Sequence, residues 1–457
     1  MPVDFFAGSK PVTLEEVLSA RENRAALQRE IIENYKTSLI CFTMNIPGEY
    51  KRFPLQEKAF GEGFSMILRR LEGIGAEVVY KAEICENTGY EGFFAVKANA
   101  ARLKRLALMI EDRHPLGRLF DIDIFDENGT RLSGSDYGRP ARACIICGKP
   151  VWECGRARKH PADELALKTA EIMRDYFDDT FADWVGGLAQ KALLYEAAAT
   201  PKPGLVDREN SGAHSDMDFF MFLDSVSVLG PFFRRCAMKG INYSKTPETL
   251  LDALRLMGMT AEDDMLRATN GVNTHKGAVY SLGILSAAAG CLYSMDEEMT
   301  AEKLSDLCAA IAGKEAGTPQ TETPGSHGGA VYKQYGLSGI RGEAASGFKS
   351  ALNHGLPALC AAWDKGLGPN EACVIALLNL LGVSDDTNIV YRAGLETLRE
   401  LQTRVSEMLS SNPQPEELMD YAKSLDAELI NRGISPGGGA DLLAVSLMLS
   451  FLTNGNN

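Results

Sequence analysis

The chain has 457 residues, a formal net charge of −14, 45% hydrophobic and 24% charged residues. That length allows two or three domains with a sizeable core in each. The acidity argues against a nucleic-acid or membrane-surface protein, whose field should be positive. Ten cysteines in so long a chain, with no basic-then-apolar leader in MPVDFFAGSKPVTLEE, are expected as reduced thiols of a cytoplasmic protein rather than as a disulfide framework.

Up to about residue 170, helix and strand signals mix. TLEEVLSARENRAALQREIIENY reads as a helix, with Thr13 and Glu16 spaced for a capping box. SLICFTMNI reads as a strand ended by Pro47-Gly48, and AEVVYKAEI and GFFAVKA as two more around a turn at Asn87 to Tyr90. ARLKRLALMIEDR reads as a helix. RLFDIDIFDENGTRLS then suits a strand, a turn at Asn128-Gly129 and a second short strand.

From about residue 162 helical patterns dominate, from ADELALKTAEIMRDYF and WVGGLAQKALLYEAAA through to ADLLAVSLMLSFL at the end. Several are apolar nearly all round, as in the centre of a large bundle. The uncharged run Gly277 to Met295 reaches membrane-spanning length, but its glycine, serine and alanine content favours a buried core helix. The join falls near Asp175 to Phe181, giving expected domains of 1–175 and 176–457: multidomain, with an α+β first part and an all-α second part.

In the first part, FDIDIF puts Asp121 and Asp123 on one face of a strand, with Ile122 and Ile124 on the other. Two carboxylates facing one way suit Mg²⁺ bound with substrate phosphates; a solvated strand face is the bland alternative. RPARACIICGKPVWECGRARKH follows, with Arg139, Arg142, Lys149, Arg156, Arg158, Lys159 and His160 gathered in an acidic chain. Guanidinium forks match phosphate oxygens. Cys144, Cys147, Cys154 and His160 have the form C-x₂-C-x₆-C-x₅-H, which could hold Zn²⁺, although buried reduced thiols are the favoured reading.

In the second part, polar glycine-bearing segments interrupt the apolar helices. TPKPGLVDRENSGAHSDMDF carries Lys202, Asp207, His214, Asp216 and Asp218; TNGVNTHKGAVY carries His275 and Lys276. PGSHGGAVYKQYGLSGIRGEAASGF, read as a loop that brings backbone amides close to a ligand, carries Gly325, Ser326, His327, Gly328, Arg341 and Glu343. SDDTNIVYRAG and SPGGGADLLA supply Asp385, Asp386, Asn388, Arg392 and Asp441. Helix N-termini bind anions, and acidic residues mixed with basic ones suggest a metal-nucleotide. No segment matches a P-loop.

These five stretches, TPKPGLVDRENSGAHSDMDF, NTHKGAVYSLG, GSHGGAVYKQYGLSGIRGEAASGF, DTNIVYRAG and SPGGGADLLA, resemble the triphosphoribosyl-dephospho-CoA synthase family over roughly residues 180–457. MNIPGEYK and GRLFDIDIF with the cysteine-rich basic run resemble the apo-citrate lyase phosphoribosyl-dephospho-CoA transferase, or holo-acyl-carrier-protein synthase, over roughly 10–170. One departure is Ser133-Gly134, where a basic residue is expected. The resemblance implies a bifunctional fusion that makes and attaches the citrate lyase prosthetic group.

It further implies ATP and 3′-dephospho-CoA as substrates with Mg²⁺, adenine release in the second domain, and transfer by a nucleotidyltransferase-like first domain. The partner is the citrate lyase acyl carrier protein (gamma subunit), with no nucleic acid and no membrane. Asp121 and Asp123 would hold metal for the transfer, with Arg139, Arg142, Arg156, Arg158 and His160 on phosphates. For the synthase, Asp207, Asp216 or Glu343 would be base or cation stabiliser, and His214, His275 and His327 acids or phosphate ligands. Lys202, Lys276, Arg341, Asn388 and Arg392 would hold the nucleotide with the amides of Gly325, Ser326 and Gly328, and Asp386 a metal. The transfer chemistry has no need of Zn²⁺. Alternatives are prosthetic-group synthesis for malonate decarboxylase, or a non-enzymatic zinc adaptor.

Overall fold

The computed structural model describes residues 4–139, 142–313 and 327–454. They form two compact units, Met1–Phe177 and Asp178–Asn457.

In the first unit, helix α1 (Leu14–Tyr35) opens with a reciprocal cap: the Thr13 hydroxyl accepts from Glu16 N at 3.2 Å and the Glu16 carboxylate accepts from Thr13 N at 2.7 Å. Strand β1 (Ser38–Met44), helix α2 (Pro54–Gly73), strands β2 (Glu77–Glu86) and β3 (Gly89–Lys97), helix α3 (Ala100–Arg113) and strand β4 (Phe120–Phe125) follow. The sheet is antiparallel in the order β2-β3-β1-β4, which leaves β4 at an edge. Opposite Asp121 stands Thr43, and opposite Asp123 stands Cys41. Because side chains alternate along a strand, Phe42, Ile122 and Ile124 join the main core, where the Phe42 ring stacks on Phe60 of α2 at 4.9 Å. Cys41 and Phe93 point to the other face, into the smaller cluster with Ile31 and Ile32 of α1.

Several features differ from the sequence reading. Helix α2 falls in a stretch that the sequence reading left unassigned; Gly63 is where the helix rests on the Phe42 and Phe120 rings, and a side chain there would strike both. After the Asn128-Gly129 turn, no second strand forms among the described residues beyond a single bridge between Phe125 and Arg131. The Asp126 carboxylate takes the N–H groups of Asn128 and Thr130 (2.9 and 2.8 Å), beside two backbone bonds, Asp126 N to Thr130 O (3.0 Å) and Leu132 N to Ile124 O (2.9 Å). Short helix α4 (Val151–Arg156) precedes α5 (Ala162–Ala198), one continuous 37-residue helix that runs through the join read near Asp175 to Phe181, and the division between units falls within it.

Among its described residues the second unit contains helices and no strand: α6 (Phe219–Ile241), α7 (Leu250–Ala268), α8 (Lys276–Ser294), α9 (Ala301–Ala312), α10 (His327–Tyr335), α11 (Gly339–Ser346), α12 (Leu356–Asp364), α13 (Pro369–Leu381), α14 (Thr387–Ala393), α15 (Leu395–Ser410), α16 (Pro415–Asn431) and α17 (Gly437–Thr453). The glycine-rich stretch expected as a loop is thus helical in α10 and α11. Helices α8, α13 and α17 are buried on most of their faces and form the middle of the bundle. By length and composition α8 could cross a membrane, but its side chains are core. Its small residues allow a close crossing with α6: a side chain at Gly240 would collide with the backbone of Ala287 and Cys291, and one at Gly290 with that of Ala237 and Ile241.

Candidate active sites

In the first unit, Asp121 and Asp123 lie on one face of β4, the edge strand of the sheet, both partly buried. The Asp123 carboxylate accepts from Arg131 Nε at 2.8 Å, while burial, and then the charge of Asp121, push its carboxyl above the ordinary range. Arg142 Nη2 lies 3.8 Å from Asp121 Oδ1 and 3.0 Å from Glu111 Oε2. Glu111 is buried on α3; it also accepts Ile122 N at 2.9 Å and pairs with Arg139, which reaches Asp112 at 2.8 Å. Lys104, one stripe back on α3, is buried near Glu111 and Asp123, and burial lowers its pKa. Nearby, the donor atoms of Cys144, Cys147, Cys154 and His160 all lie within 4.8 Å of one another.

In the second unit, a cleft of about 280 Å³ is lined by the first residues of α11, α14 and α17. Three helix N-termini thus bring their positive dipole ends to one space. Four carboxylates stand around it: Glu343, Asp385, Asp386 and Asp441. Glu343 is held by Ser350, whose hydroxyl and N–H donate to it at 2.5 and 3.2 Å, and burial raises its pKa. Asp441 accepts the Ala278 N–H at the start of α8 and leaves no room for a side chain at Gly277. Burial, then Glu196 and Asp386, push the Asp441 carboxyl well above its ordinary value. A space lined by amide dipoles and carboxylates suits an anion that carries its own cation.

A family model for apo-citrate lyase phosphoribosyl-dephospho-CoA transferase (CitX) matches residues 12–176, and one for ATP:dephospho-CoA triphosphoribosyl transferase (CitG) matches residues 182–457. "Protein CitXG" of Haemophilus influenzae is 33% identical over 98% of this chain and 98% of its own length. The protein of the same name from Leuconostoc mesenteroides subsp. cremoris is 30% identical over 98% and 99%. The chain belongs to the CitX–CitG fusion family. It is a bifunctional transferase for synthesis and attachment of the citrate lyase prosthetic group. A "Probable 2-(5''-triphosphoribosyl)-3'-dephosphocoenzyme-A synthase" of Salmonella gallinarum is 40% identical over 60% of this chain and 92% of its own.

Within this CitX–CitG fusion the candidate residues sort by what they touch. Glu343, Asp386 and Asn388 line the cleft, with Asp441, a residue the sequence singled out without giving it a role. Asp386 does not offer a free carboxylate to a metal. It is buried, with Oδ1 accepting Asn388 N (2.8 Å) and Ile389 N (3.3 Å) and Oδ2 accepting Gly439 N (3.0 Å), so it clamps the starts of α14 and α17 together. Asp207 is likewise occupied by backbone, accepting Lys202 N, Glu209 N and Asn210 N at 2.8–3.1 Å, and is corrected from base to loop anchor. Lys202 is corrected from phosphate ligand to buried ion pair: its Nζ lies 2.6 Å from Glu196 Oε1, with side chains 1% and 3% exposed.

His275 is buried beside Ser225 (2.7 Å), its Nε2 without a hydrogen-bond partner, and burial followed by Lys202 pushes it down to about 3. A neutral imidazole can accept a proton but is no standing acid at neutral pH, which removes it as a donor in the resting state. His214 meets Ser435 at 2.7 Å and Asp216 at 3.7 Å, with burial and then Arg392 lowering its pKa. Arg392 donates to the carbonyls of Ala213 and Gly433, each at 3.1 Å, so these residues bracket the 207–218 loop to the turn before α17. Lys276 pairs with Glu262 at 2.8 Å, and the Arg341 guanidinium lies over the Tyr280 ring at 5.9 Å.

Gly325 and Ser326 lie outside the described residues, and His327 and Gly328 open α10. In the transferase unit Arg139 is committed to Glu111 and Asp112, so of the first two arginines Arg142 is the one that reaches the aspartate pair. Arg156 lies over the exposed Trp152 ring at 5.5 Å, and Arg158 is exposed. Sequence patterns missed Glu111 and Lys104; their one signal was two charges seven apart on an otherwise apolar stripe of α3.

Proposed function

We propose that residues 176–457 join ATP to 3′-dephospho-CoA in the cleft at the starts of α11, α14 and α17. The observation that carries this is the pairing of three convergent helix N-termini with two elevated carboxyls, Glu343 and Asp441. The 2′-hydroxyl of dephospho-CoA attacks ribose C1′ of ATP as the bond to adenine breaks. Glu343 takes the hydroxyl proton and faces the oxocarbenium-like centre; Asp441, held protonated, gives its proton to the departing adenine. The triphosphate enters as its Mg²⁺ complex, since the carboxylates around the cleft would repel a bare one, and its oxygens face the positive ends of the helix dipoles.

Residues 1–175, an α+β unit acting as a nucleotidyltransferase, pass phosphoribosyl-dephospho-CoA to a serine of the citrate lyase acyl carrier protein in the cytoplasm, releasing pyrophosphate. Asp121 and Asp123 would hold Mg²⁺ there: they share a face, and burial followed by the charge of Asp121 raises Asp123. The ion would neutralise charge at the α-phosphorus. Arg142 faces the leaving group, and Arg156, Arg158 and Lys159 offer a basic docking face to an acidic carrier.

Mass spectrometry on the full chain with ATP, Mg²⁺, 3′-dephospho-CoA and carrier tests both halves. Glu343→Gln and Asp441→Asn should each lower adenine release by roughly 10²–10⁴-fold, while carrier labelling from supplied intermediate persists. Asp123→Asn should do the reverse. Adenine release unaffected in both cleft variants would move the site elsewhere.

A further inference from the structure

We propose that Cys144, Cys147, Cys154 and His160 bind one structural Zn²⁺, which closes the basic loop of the transferase unit. This goes beyond the two transfer reactions, neither of which calls for it.

Three thiolates and an imidazole form a closed tetrahedral donor set typical of structural zinc. All four donor atoms fall within 4.8 Å of one another, and Cys147 Sγ and Cys154 Sγ are 3.4 Å apart. A tetrahedron with Zn–S bonds of ~2.3 Å has edges of about 3.8 Å, whereas a disulfide would bring two sulfurs to ~2.05 Å. The observed spacing fits a shared cation and not a covalent bond.

The local backbone is shaped for the same purpose. Cys144-Ile-Ile-Cys147-Gly148 makes a tight turn in which the N–H groups of Ile146 and Cys147 point at the Cys144 sulfur. Gly148, at φ +69°, donates its N–H to Cys144 O at 3.0 Å, and Cys144 N donates to Lys149 O at 2.6 Å. A bridge between Ala143 and Pro150 closes the base of the turn. Amides aimed at a sulfur stabilise its thiolate form, the form that ligates. Helix α4 then delivers Cys154 to the same point.

His160 completes the set from the other side. Its Nδ1 lies 3.6 Å from Glu164 Oε2, while Nε2 is buried and has no hydrogen-bond partner. A carboxylate behind one ring nitrogen and an unmet second nitrogen is the order found when histidine ligates a metal. An orphaned buried nitrogen otherwise forfeits the hydrogen bond that it makes to water in the unfolded chain.

Packing supplies the last argument. None of the described residues 142–160 belongs to the apolar clusters of this unit, so no hydrophobic core holds the segment. Small elements without a core need a staple, and a metal is one. The site begins two residues after Arg142, which contacts Glu111 and Asp121, and Arg118 Nε donates to Ala143 O at 3.1 Å. The ion therefore fixes the chain at the point from which Arg142 reaches the aspartate pair.

The test is elemental analysis of the full-length chain after growth with zinc and desalting, paired with native mass spectrometry. About one zinc per chain is expected, released by a mercurial reagent into a colorimetric chelator. Cys147→Ser should lower zinc content at least tenfold, and His160→Cys should retain it. If Cys147→Ser does not fold, alkylation of the wild type serves instead: Cys144, Cys147 and Cys154 should be protected until a chelator strips the ion. Wild-type chain without zinc, chain holding iron in its place, zinc undiminished in folded Cys147→Ser, or three thiols alkylated equally with and without chelator would each overturn the assignment.

Discussion

Removal of the Lys202 ammonium separates a structural role from a phosphate-binding one. Its Nζ lies 2.6 Å from Glu196 Oε1, and the two side chains are 1% and 3% exposed. Lys202→Met would strand a carboxylate in the bundle, at a cost of about 3–5 kcal/mol. At roughly 2–4 °C per kcal/mol for a unit of this size, the melting transition of residues 178–457 should fall by about 10 °C. Replacing both partners, as in Lys202→Met with Glu196→Leu, removes both charges together and should recover most of the loss, because apolar substitutes for a buried pair are often neutral. Calorimetry and urea unfolding on the four members of the cycle give the coupling energy. If Lys202→Met unfolds within 0.5 kcal/mol of the parent (about a third of one hydrogen bond to a charged group) while adenine release collapses, the lysine is gripping substrate and the reasoning fails.

Two further outcomes follow from the same neighbourhood. His275, pushed down to about 3 from an ordinary 6.5, stays neutral in the fold while the unfolded chain takes up its proton. Its contribution is complete above pH 6.5 and is lost toward acid by about 1.4 kcal/mol per pH unit, down to about pH 3. Burial of Asp441 and Glu343 biases stability the opposite way, so the comparison must be with a variant. In His275→Gln the loss of unfolding free energy between pH 7 and pH 5 should shrink by about 2 kcal/mol, and an unchanged pH slope would contradict the burial argument. Gly277→Ala should place a methyl against Asp441 Oδ2 and displace that carboxyl; a shift of about 1 Å lowers adenine release by roughly 10²-fold, read by chromatography, with carrier labelling from supplied intermediate intact.

Local rules carried much of the fold. Alternation along FDIDIF sufficed to put Asp121 and Asp123 on one face, and Thr13 with Glu16 announced the start of α1, because both depend on neighbours within a few residues. Helix α2 was given no reading from the sequence, and its Gly63 is required by the Phe42 ring, a contact between separate elements. The surroundings of several site residues were hidden for the same reason. That Asp386 spends its oxygens on amides depends on Gly439, 53 residues away, and that His214 meets Ser435 depends on a partner 221 residues away. For the cysteines, spacing left thiols and metal both open, and the choice turned on the depth of one imidazole nitrogen.

The glycine crossing of α6 and α8 sets a mechanical condition on the synthase. Gly290 stands fourteen residues along α8 from Lys276, roughly 21 Å at 1.5 Å per residue. Backbone touches backbone at Gly240 and Gly290, so the crossing works as a fulcrum with no compliant side chain in it. A single methyl there would wedge the helices apart by about 1 Å to reach ordinary contact, and a stiff helix carries that error along its length to His275 and to Gly277 beneath Asp441. Alignment of the reacting carboxyl is thus governed from the far end of a rod, by residues whose only property is the absence of a side chain.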